Sequence, residues 1–274
     1  MKKIYYYKNH FIQKKWGQIF LIDQNIINAI VKSINPKKYQ KLVEIGPGLG
    51  ALTKQILNTI DNIDFLILIE RDSNLVNRLI QIFNKKIKIF NQDAMTTNFF
   101  DLSNQVGQKL RLIGNLPYNI ATKLIIYLFR YVNVIDDMHF MFQKEVGRRI
   151  CAGPNNKEYG RLSIVTQYHY KIIPLFKIPA TSFIPIPKVE SLMIRFIPHT
   201  NNPYPIVDIK KLSLLTKLAF RHKRKTLRNS LSTFFNQTEI IQQGINPTLR
   251  AENITINQYC ALAAILNDKK FNLK

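Results

Sequence analysis

The stretch Val43-Glu44-Ile45-Gly46-Pro47-Gly48-Leu49-Gly50-Ala51-Leu52-Thr53 (VEIGPGLGALT) decides how the chain is read. Lys41 to Gly46 is an apolar run of strand length that stops at a glycine. The residues from Ala51 (ALTKQILNTI) then take helical spacing. Between them Gly46, Gly48 and Gly50 let the backbone approach a ligand closely, and the helix start offers unpaired N–H groups. The spacing is G-x-G-x-G, not the G-x-G-x-x-G of dinucleotide folds, and Pro47 stiffens the turn. Such a turn can be structural alone, so its meaning depends on what surrounds it.

Outward from this turn the pattern repeats. Asp64 to Glu70 (DFLILIE) is a continuous apolar run ending on a carboxylate, and the segment after it (DSNLVNRLIQIF) has helical spacing behind an Asp or Ser cap. Lys86 to Asp93 (KIKIFNQD) reads as a third strand, Lys109 to Leu116 (KLRLIGNL) as a fourth, and Met138 to Gln143 (MHFMFQ) as a fifth leading into a basic helix. Strands alternating with helices predict an α/β, doubly wound, mostly parallel sheet. Two later runs, KIIPLFKIP and VESLMIRFIP, have no helix between them and predict an antiparallel, hairpin-like edge. Pro198 to Pro205 (PHTNNPYP) reads as a linker, and beyond about Val207 the pattern is helical and basic. We therefore expect an α/β domain over 1–200, with a basic N-terminal arm, and a small all-helical domain over 201–274; the resemblance given below implies that the first is catalytic.

Charge narrows the partner. Forty Lys+Arg stand against 17 Asp+Glu, a formal charge of +23, which favours a polyanion. A drift toward Lys, Asn and Ile inflates the lysine count. It does not explain why basic residues bunch at Lys14-Lys15, at Arg148-Arg149 and over Arg221 to Arg228 (RHKRKTLR). Cys151 and Cys260 lie far apart with no metal-ligand spacing, so two free thiols in a reducing compartment and no metal site are expected. No apolar run reaches membrane-span length, and Lys8, Asn9 and His10 interrupt any leader-like core. A cytoplasmic protein without a membrane partner is expected.

The strand ends carry the chemistry. Glu70 closes the second strand, where a doubly wound nucleotide fold places an acid for the ribose hydroxyls. Asp93 closes the third and could receive the exocyclic amine of an adenine. Asn115-Leu116-Pro117-Tyr118 closes the fourth. A turn is the plain reading of these residues. On the same edge as a nucleoside site, however, they fit a clamp for an adenine amine. That amine is a poor nucleophile because its lone pair is delocalised into the ring. The Asn115 side-chain oxygen and the Leu116 carbonyl, projected by the following proline, can each accept one N–H and localise the lone pair. Tyr118 can stack on the base, an interaction of about 1–3 kcal/mol. The base must arrive unstacked.

These motifs resemble the KsgA/RsmA family of S-adenosylmethionine-dependent dimethyltransferases, which modify two adjacent adenosines near the 3′ end of small-subunit ribosomal RNA. The blocks KKWGQIFLID, VEIGPGLGALT, NQDAM, GNLPYNI, FQKEVGRRICAGPNNKEYGRLSIVTQY, SFIPIPKVESLMIRF and AFRHKRKTLRNSL follow the family's order nearly end to end. The resemblance implies cofactor contacts at Leu21, Gly46, Gly48, Glu70, Asp93 and Asn115. It implies a catalytic loop of Asn115, Leu116, Pro117 and Tyr118, with Phe183 as a second aromatic facing the base. RNA contacts are expected at Lys14, Lys15, Arg148, Arg221, Lys223, Arg224, Lys225 and Arg228, and the partner is expected to be small-subunit RNA within a pre-ribosomal particle, bound by a monomer. One position departs: Ile19 stands where the family usually has Asn in G-Q-N-F-L. Rival readings are a large-subunit RNA methyltransferase of the erythromycin-resistance type and a non-catalytic RNA-binding assembly factor.

Overall fold

The computed structural model describes residues 6–13, 16–60, 66–83, 87–222 and 224–266. The arm opens with a two-stranded antiparallel ribbon, β1 (Tyr6–Tyr7) and β2 (His10–Phe11). Lys8 and Asn9 turn it with positive φ, 46° and 57°, the hand that matches strand twist in two-residue hairpins. β3 (Phe20–Leu21) and helix α1 (Gln24–Ile34) follow. Asp23 caps α1 by accepting from the Asn25 and Ile26 amides, and Asn35 ends it in the left-handed region.

The main body then alternates strand and helix: β4 (Lys41–Ile45), α2 (Ala51–Thr59), β5 (Leu66–Glu70), α3 (Ser73–Ile82), β6 (Lys88–Asn91), α4 (Phe99–Val106), β7 (Leu110–Gly114), α5 (Tyr118–Leu128), β8 (Ile135–Gln143), α6 (Lys144–Cys151), α7 (Arg161–His169) and β9 (Tyr170–Ile178). β10 (Phe183–Ile184) and β11 (Ser191–Pro198) complete the strands. Seven strands form one sheet in the order β6-β5-β4-β7-β8-β11-β9. β4 pairs in parallel with β5 and β7, β5 with β6, and β7 with β8, whereas β11 runs antiparallel to β8. The doubly wound, mostly parallel sheet expected from the alternation is present. Every residue of β5 and β7 is buried, as a sheet covered on both faces requires. The two late strands are neighbours, with the later one inside and the earlier one on the edge. Between them β10 leaves the main sheet and pairs with β3, Phe183 opposite Leu21 and Ile184 opposite Phe20.

At the amino ends of the parallel strands a buried charge network closes the sheet. Arg111 Nε and Nη2 donate to Asp137 Oδ1 and Oδ2 at 2.8 and 3.0 Å. Its remaining capacity goes to the Ile34 carbonyl and Gln40 Oε1, each at 2.7 Å. Arg195 Nε donates to Asp137 Oδ2 at 2.9 Å. Burial works to raise the Asp137 carboxyl, but the Arg111 hydrogen bonds, helped by the charges of His139, Arg111 and Arg195, hold it below the ordinary carboxylate range.

The described chain divides into two compact units rather than at a single cut near 200. One comprises 1–147 and 172–198, the other 148–171 and 199–274. The second unit contains α7, α8 (Ile209–Ala219), α9 (Leu227–Ser230), α10 (Gln237–Gln242) and α11 (Ile256–Ala264). Its own core gathers Leu212, Leu215, Leu227, Phe234, Ile240 and Tyr259. Residues 148–171 join it because Tyr159, Ile164 and Tyr168 pack into that cluster. Among the described residues no helix is long and apolar enough to cross a membrane.

Candidate active site

β4, β5 and β7 end on one edge at Ile45, Glu70 and Gly114. The turns behind them enclose a cleft of about 250 Å³. Leu21, Gly46, Gly48, Glu70, Asp93, Asn115, Leu116 and Pro117 all line it, so the structure brings most of the expected site together. Gly48 takes a positive φ of 59°, and a β-carbon there would sit 3.0 Å from the Phe20 ring. Helix α2 starts from Gly50 without a side-chain cap, so its first amides have no side-chain acceptor, and Gly50, Ala51 and Leu52 line the cleft. Gly114 answers a different need: a β-carbon would come within 2.5 Å of the Ile45 carbonyl, so β7 can end beside β4 only as glycine.

Three acidic residues line this cleft. Glu70 accepts from the Gly48 amide through Oε2 at 3.2 Å and from the Asp72 amide through Oε1 at 2.9 Å. Burial raises its pKa, and the backbone donors oppose that rise. Asp93 accepts from the Met95 amide through Oδ1 at 2.9 Å, and its Oδ2 lies 3.0 Å from Arg71 Nη1. The third, Glu44, was not anticipated. It is buried in the middle of β4 and accepts from Thr53 Oγ1 at 2.6 Å. Burial lifts its pKa to about 7, against the Thr53 hydrogen bond and with the help of the Glu70 charge. An acid inside an otherwise apolar strand run was the available signal.

The Asn115 turn is built as a polar grip. Asn115 Nδ2 donates to the Ile19 carbonyl at 3.0 Å, which fixes the amide's orientation. Its Oδ1 is buried and has no hydrogen-bond partner among the described residues. A buried acceptor without a donor costs about 1–3 kcal/mol, so the arrangement suits an incoming N–H. Pro117 (φ −54°, ψ 130°) is the N-cap of α5. Tyr118, the first residue of α5, is half-buried, with its phenol oxygen 2.6 Å from Ser191 Oγ. Phe183 is fully buried and packs in the apolar core with Leu21, Ile27 and Leu52. Its backbone pairs with Leu21 in the β10–β3 ribbon.

The arm is fastened beside the cleft. Gln18 Nε2 donates to Asp72 Oδ2 at 2.9 Å, and the Arg71 guanidinium lies 5.8 Å from the centre of the Trp16 ring. In the second unit Arg148, Arg221, Arg224, Lys225 and Arg228 are exposed. Lys14, Lys15 and Lys223 lie outside the described residues.

The family model for ribosomal RNA adenine dimethylase matches residues 9–268. Ribosomal RNA small subunit methyltransferase A of Blochmanniella pennsylvanica (strain BPEN) is 77% identical over 269 residues, spanning 98% of this chain and 100% of that protein. The protein of the same name from Citrobacter koseri is 49% identical over 264 residues, 96% of each chain. Among solved structures, a dimethyladenosine transferase from Plasmodium falciparum superposes with a TM-score of 0.75 at 22% identity, covering 89% of this chain and 95% of that one. The 23S rRNA methyltransferase ErmE gives 0.68 at 19% identity, covering 89% and 97%. Both share the fold.

Proposed function

Because the chain belongs to the ribosomal RNA adenine dimethylase family, we propose that it dimethylates the N6 amines of two adjacent adenosines near the 3′ end of small-subunit ribosomal RNA. It is an S-adenosylmethionine-dependent methyltransferase whose substrate is ribosomal RNA. We place its action in the cytoplasm, as a monomer on a pre-ribosomal particle, and assign it a role in small-subunit assembly.

The residues present suit the cofactor. An uncapped helix start, three carboxylates and a glycine turn in one cleft match a ligand with a cationic centre, a ribose and an adenine. Glu70 would hold the ribose hydroxyls, Asp93 the adenine amine, and the Gly46–Gly50 turn the close approach of the chain. When bound, S-adenosylmethionine supplies an electrophilic methyl on its sulfonium.

The remaining chemistry belongs to the chain. Asn115 Oδ1 and the Leu116 carbonyl accept the two hydrogens of the target amine and draw its nitrogen toward tetrahedral geometry. Tyr118 supplies the stacking face for the unstacked base. Orientation contributes to the rate, and no general base of unusual pKa is required, because the proton leaves the cationic nitrogen for water only after the methyl has arrived. Phosphates of the RNA meet Arg148, Arg221, Arg224, Lys225 and Arg228 in the second unit, with Lys14, Lys15 and Lys223, so affinity falls steeply with salt.

The observation that carries this reading is the buried, partnerless Oδ1 of Asn115 on an amide already fixed by the Ile19 carbonyl. The test is mass spectrometry of purified small- and large-subunit RNA after incubation with protein and labelled cofactor. Label on two adjacent adenosines of small-subunit RNA is expected. Label confined to large-subunit RNA would move the assignment to the erythromycin-resistance type. RNA binding without label would favour a non-catalytic assembly factor.

A further inference from the structure

Tyr118 is held from behind. Ser191, the first residue of β11, is fully buried, and its Oγ lies 2.6 Å from the Tyr118 phenol oxygen. The serine's own position is fixed on both sides. Across the sheet it pairs with Gln143. Just before it, the Glu190 carbonyl accepts from the Lys144 amide at 2.9 Å, and the Glu190 carboxylate lies 2.6 Å from Lys144 Nζ. The segment leading to it begins at Phe183–Ile184, which pairs with Phe20 and Leu21 on the wall of the cleft. One short segment thus spans from the cofactor wall to the far end of the Tyr118 ring.

That end is where a restraint acts best. A tyrosine ring swings about two side-chain torsions, and a hydrogen bond at its phenol oxygen, the atom farthest from the backbone, limits both. A base stacked on an angularly fixed ring presents its amine at a fixed angle to the methyl donor, and rates respond strongly to such alignment. The demand is greatest in the second transfer, when the amine already bears a methyl and fewer orientations leave room for attack.

Building on the proposed function, we propose that Ser191 is a positioning residue for methyl transfer: its hydroxyl sets the angle of the Tyr118 ring, chiefly for the second methylation. The phenol then serves as a handle for orientation and exchanges no proton with substrate.

Single-turnover methylation of small-subunit RNA, with mono- and dimethyladenosine resolved by mass spectrometry, tests this in wild type, Ser191→Ala, Ser191→Thr, Tyr118→Phe and the Ser191→Ala/Tyr118→Phe double variant. Loss of one hydrogen bond predicts roughly two- to tenfold slower transfer in Ser191→Ala. Monomethyladenosine should accumulate, cofactor affinity should not change, and Ser191→Thr should recover the wild-type product ratio. Because Ser191 acts only through the phenol oxygen, the double variant should match Tyr118→Phe. Two results overturn the inference alone while wild type stays active. One is additive losses in the double variant. The other is a Ser191→Ala protein with a lower melting temperature and weaker cofactor binding but an unchanged product ratio. A wild-type protein that transfers no methyl to small-subunit RNA overturns the functional reading itself, and this inference with it.

Discussion

The two ends of the parallel sheet both bury ionisable groups, and they treat them in opposite ways. At the amino end each nitrogen of the Arg111 guanidinium has an acceptor, and both Asp137 oxygens have arginine donors. At the carboxyl end Asn115 keeps a buried oxygen without a donor, Glu70 and Glu44 have raised pKa values, and Gly48 holds a left-handed turn. The Arg111–Asp137–Arg195 group contributes rigidity and leaves no Asp137 oxygen over for a ligand, although His139 beside it keeps both ring nitrogens without a hydrogen-bond partner among the described residues. An unsaturated edge costs stability and keeps its hydrogen-bonding capacity for chemistry. The same strands therefore serve as clamp at one end and as reagent at the other.

Breaking the saturated end should produce the largest effect. Asp137→Ala leaves Arg111 buried without its carboxylate and Arg195 without its partner. Removing one member of a buried ion pair typically costs about 3–5 kcal/mol, so denaturant unfolding should show a loss of that order. The fraction that stays folded should bind cofactor normally. A loss below about 1 kcal/mol would show that the network is not a clamp.

Asn115→Ala asks the reverse question of the other end. Single-turnover transfer should fall by roughly 10²–10³, as when one preorganised polar contact is removed from an active site. Stability should hold or rise, because the variant deletes an unsatisfied buried acceptor along with the bond to Ile19. Near-normal transfer would mean that the orphan oxygen has no role, and the contrast between the ends would lose its functional side.

The carboxyl end was the more legible of the two from sequence. Glycines at alternate positions, Glu70 and Asp93 at strand ends and the Asn115–Tyr118 turn each sit where an apolar run stops, and a stop is visible in a linear string. The amino end was not legible, because Arg111, Asp137 and Arg195 are scattered across three strands and meet only through pairing: Arg111 lies opposite Asp137, and Arg195 opposite His139. Glu44 escaped notice for a related reason, since its partner Thr53 is on the next helix. The burial of Phe183 was not legible either, because a motif position fixes an address in the chain but not the packing its ring meets once its strand pairs with β3. Continuity in sequence likewise hides that residues 148–171 fill the core of the second unit.

Glu44→Gln sharpens the contrast through pH. The acid moves from an ordinary value of 4.5 to about 7 on folding, chiefly because burial disfavours its charged form. Below pH 4.5 the folded and unfolded states are both protonated there, and Glu44 does not alter stability. Between pH 4.5 and about 7 the unfolded state gives up this proton while the folded state keeps it, so stability falls across that window and levels off above about 7. Gln keeps an acceptor for Thr53 and carries no charge. The cofactor-free variant should therefore match wild type in this respect at low pH and become more stable than wild type above pH 7, by at most roughly 3 kcal/mol. Denaturant midpoints at acidic and alkaline pH measure it. Parallel pH curves for the two proteins would show that Glu44 titrates normally.

Ile19 gives the smallest effect and the finest test of which atoms matter at the open end. Its main chain and its side chain have separate tasks. The carbonyl fixes Asn115 Nδ2 at 3.0 Å, and no substitution removes it. The side chain is half-buried, lines the cleft and packs against the core cluster that holds Leu21 and Leu52. The family resemblance places an Asn here, whose amide could donate to or accept from the cofactor where isoleucine can do neither. A net hydrogen bond contributes about 0.5–1.5 kcal/mol, so Ile19→Asn should tighten cofactor binding by no more than about tenfold. Transfer at saturating cofactor should not change, because the tether on Asn115 is a backbone atom. The melting temperature should fall slightly as apolar contact is lost. Weaker cofactor binding together with a large drop in melting temperature would show instead that the side chain is a packing element and that an amide there is buried unpaired. Slower transfer at saturating cofactor would mean that the substitution moves the Ile19 carbonyl, placing control of the Asn115 oxygen in the packing of the arm.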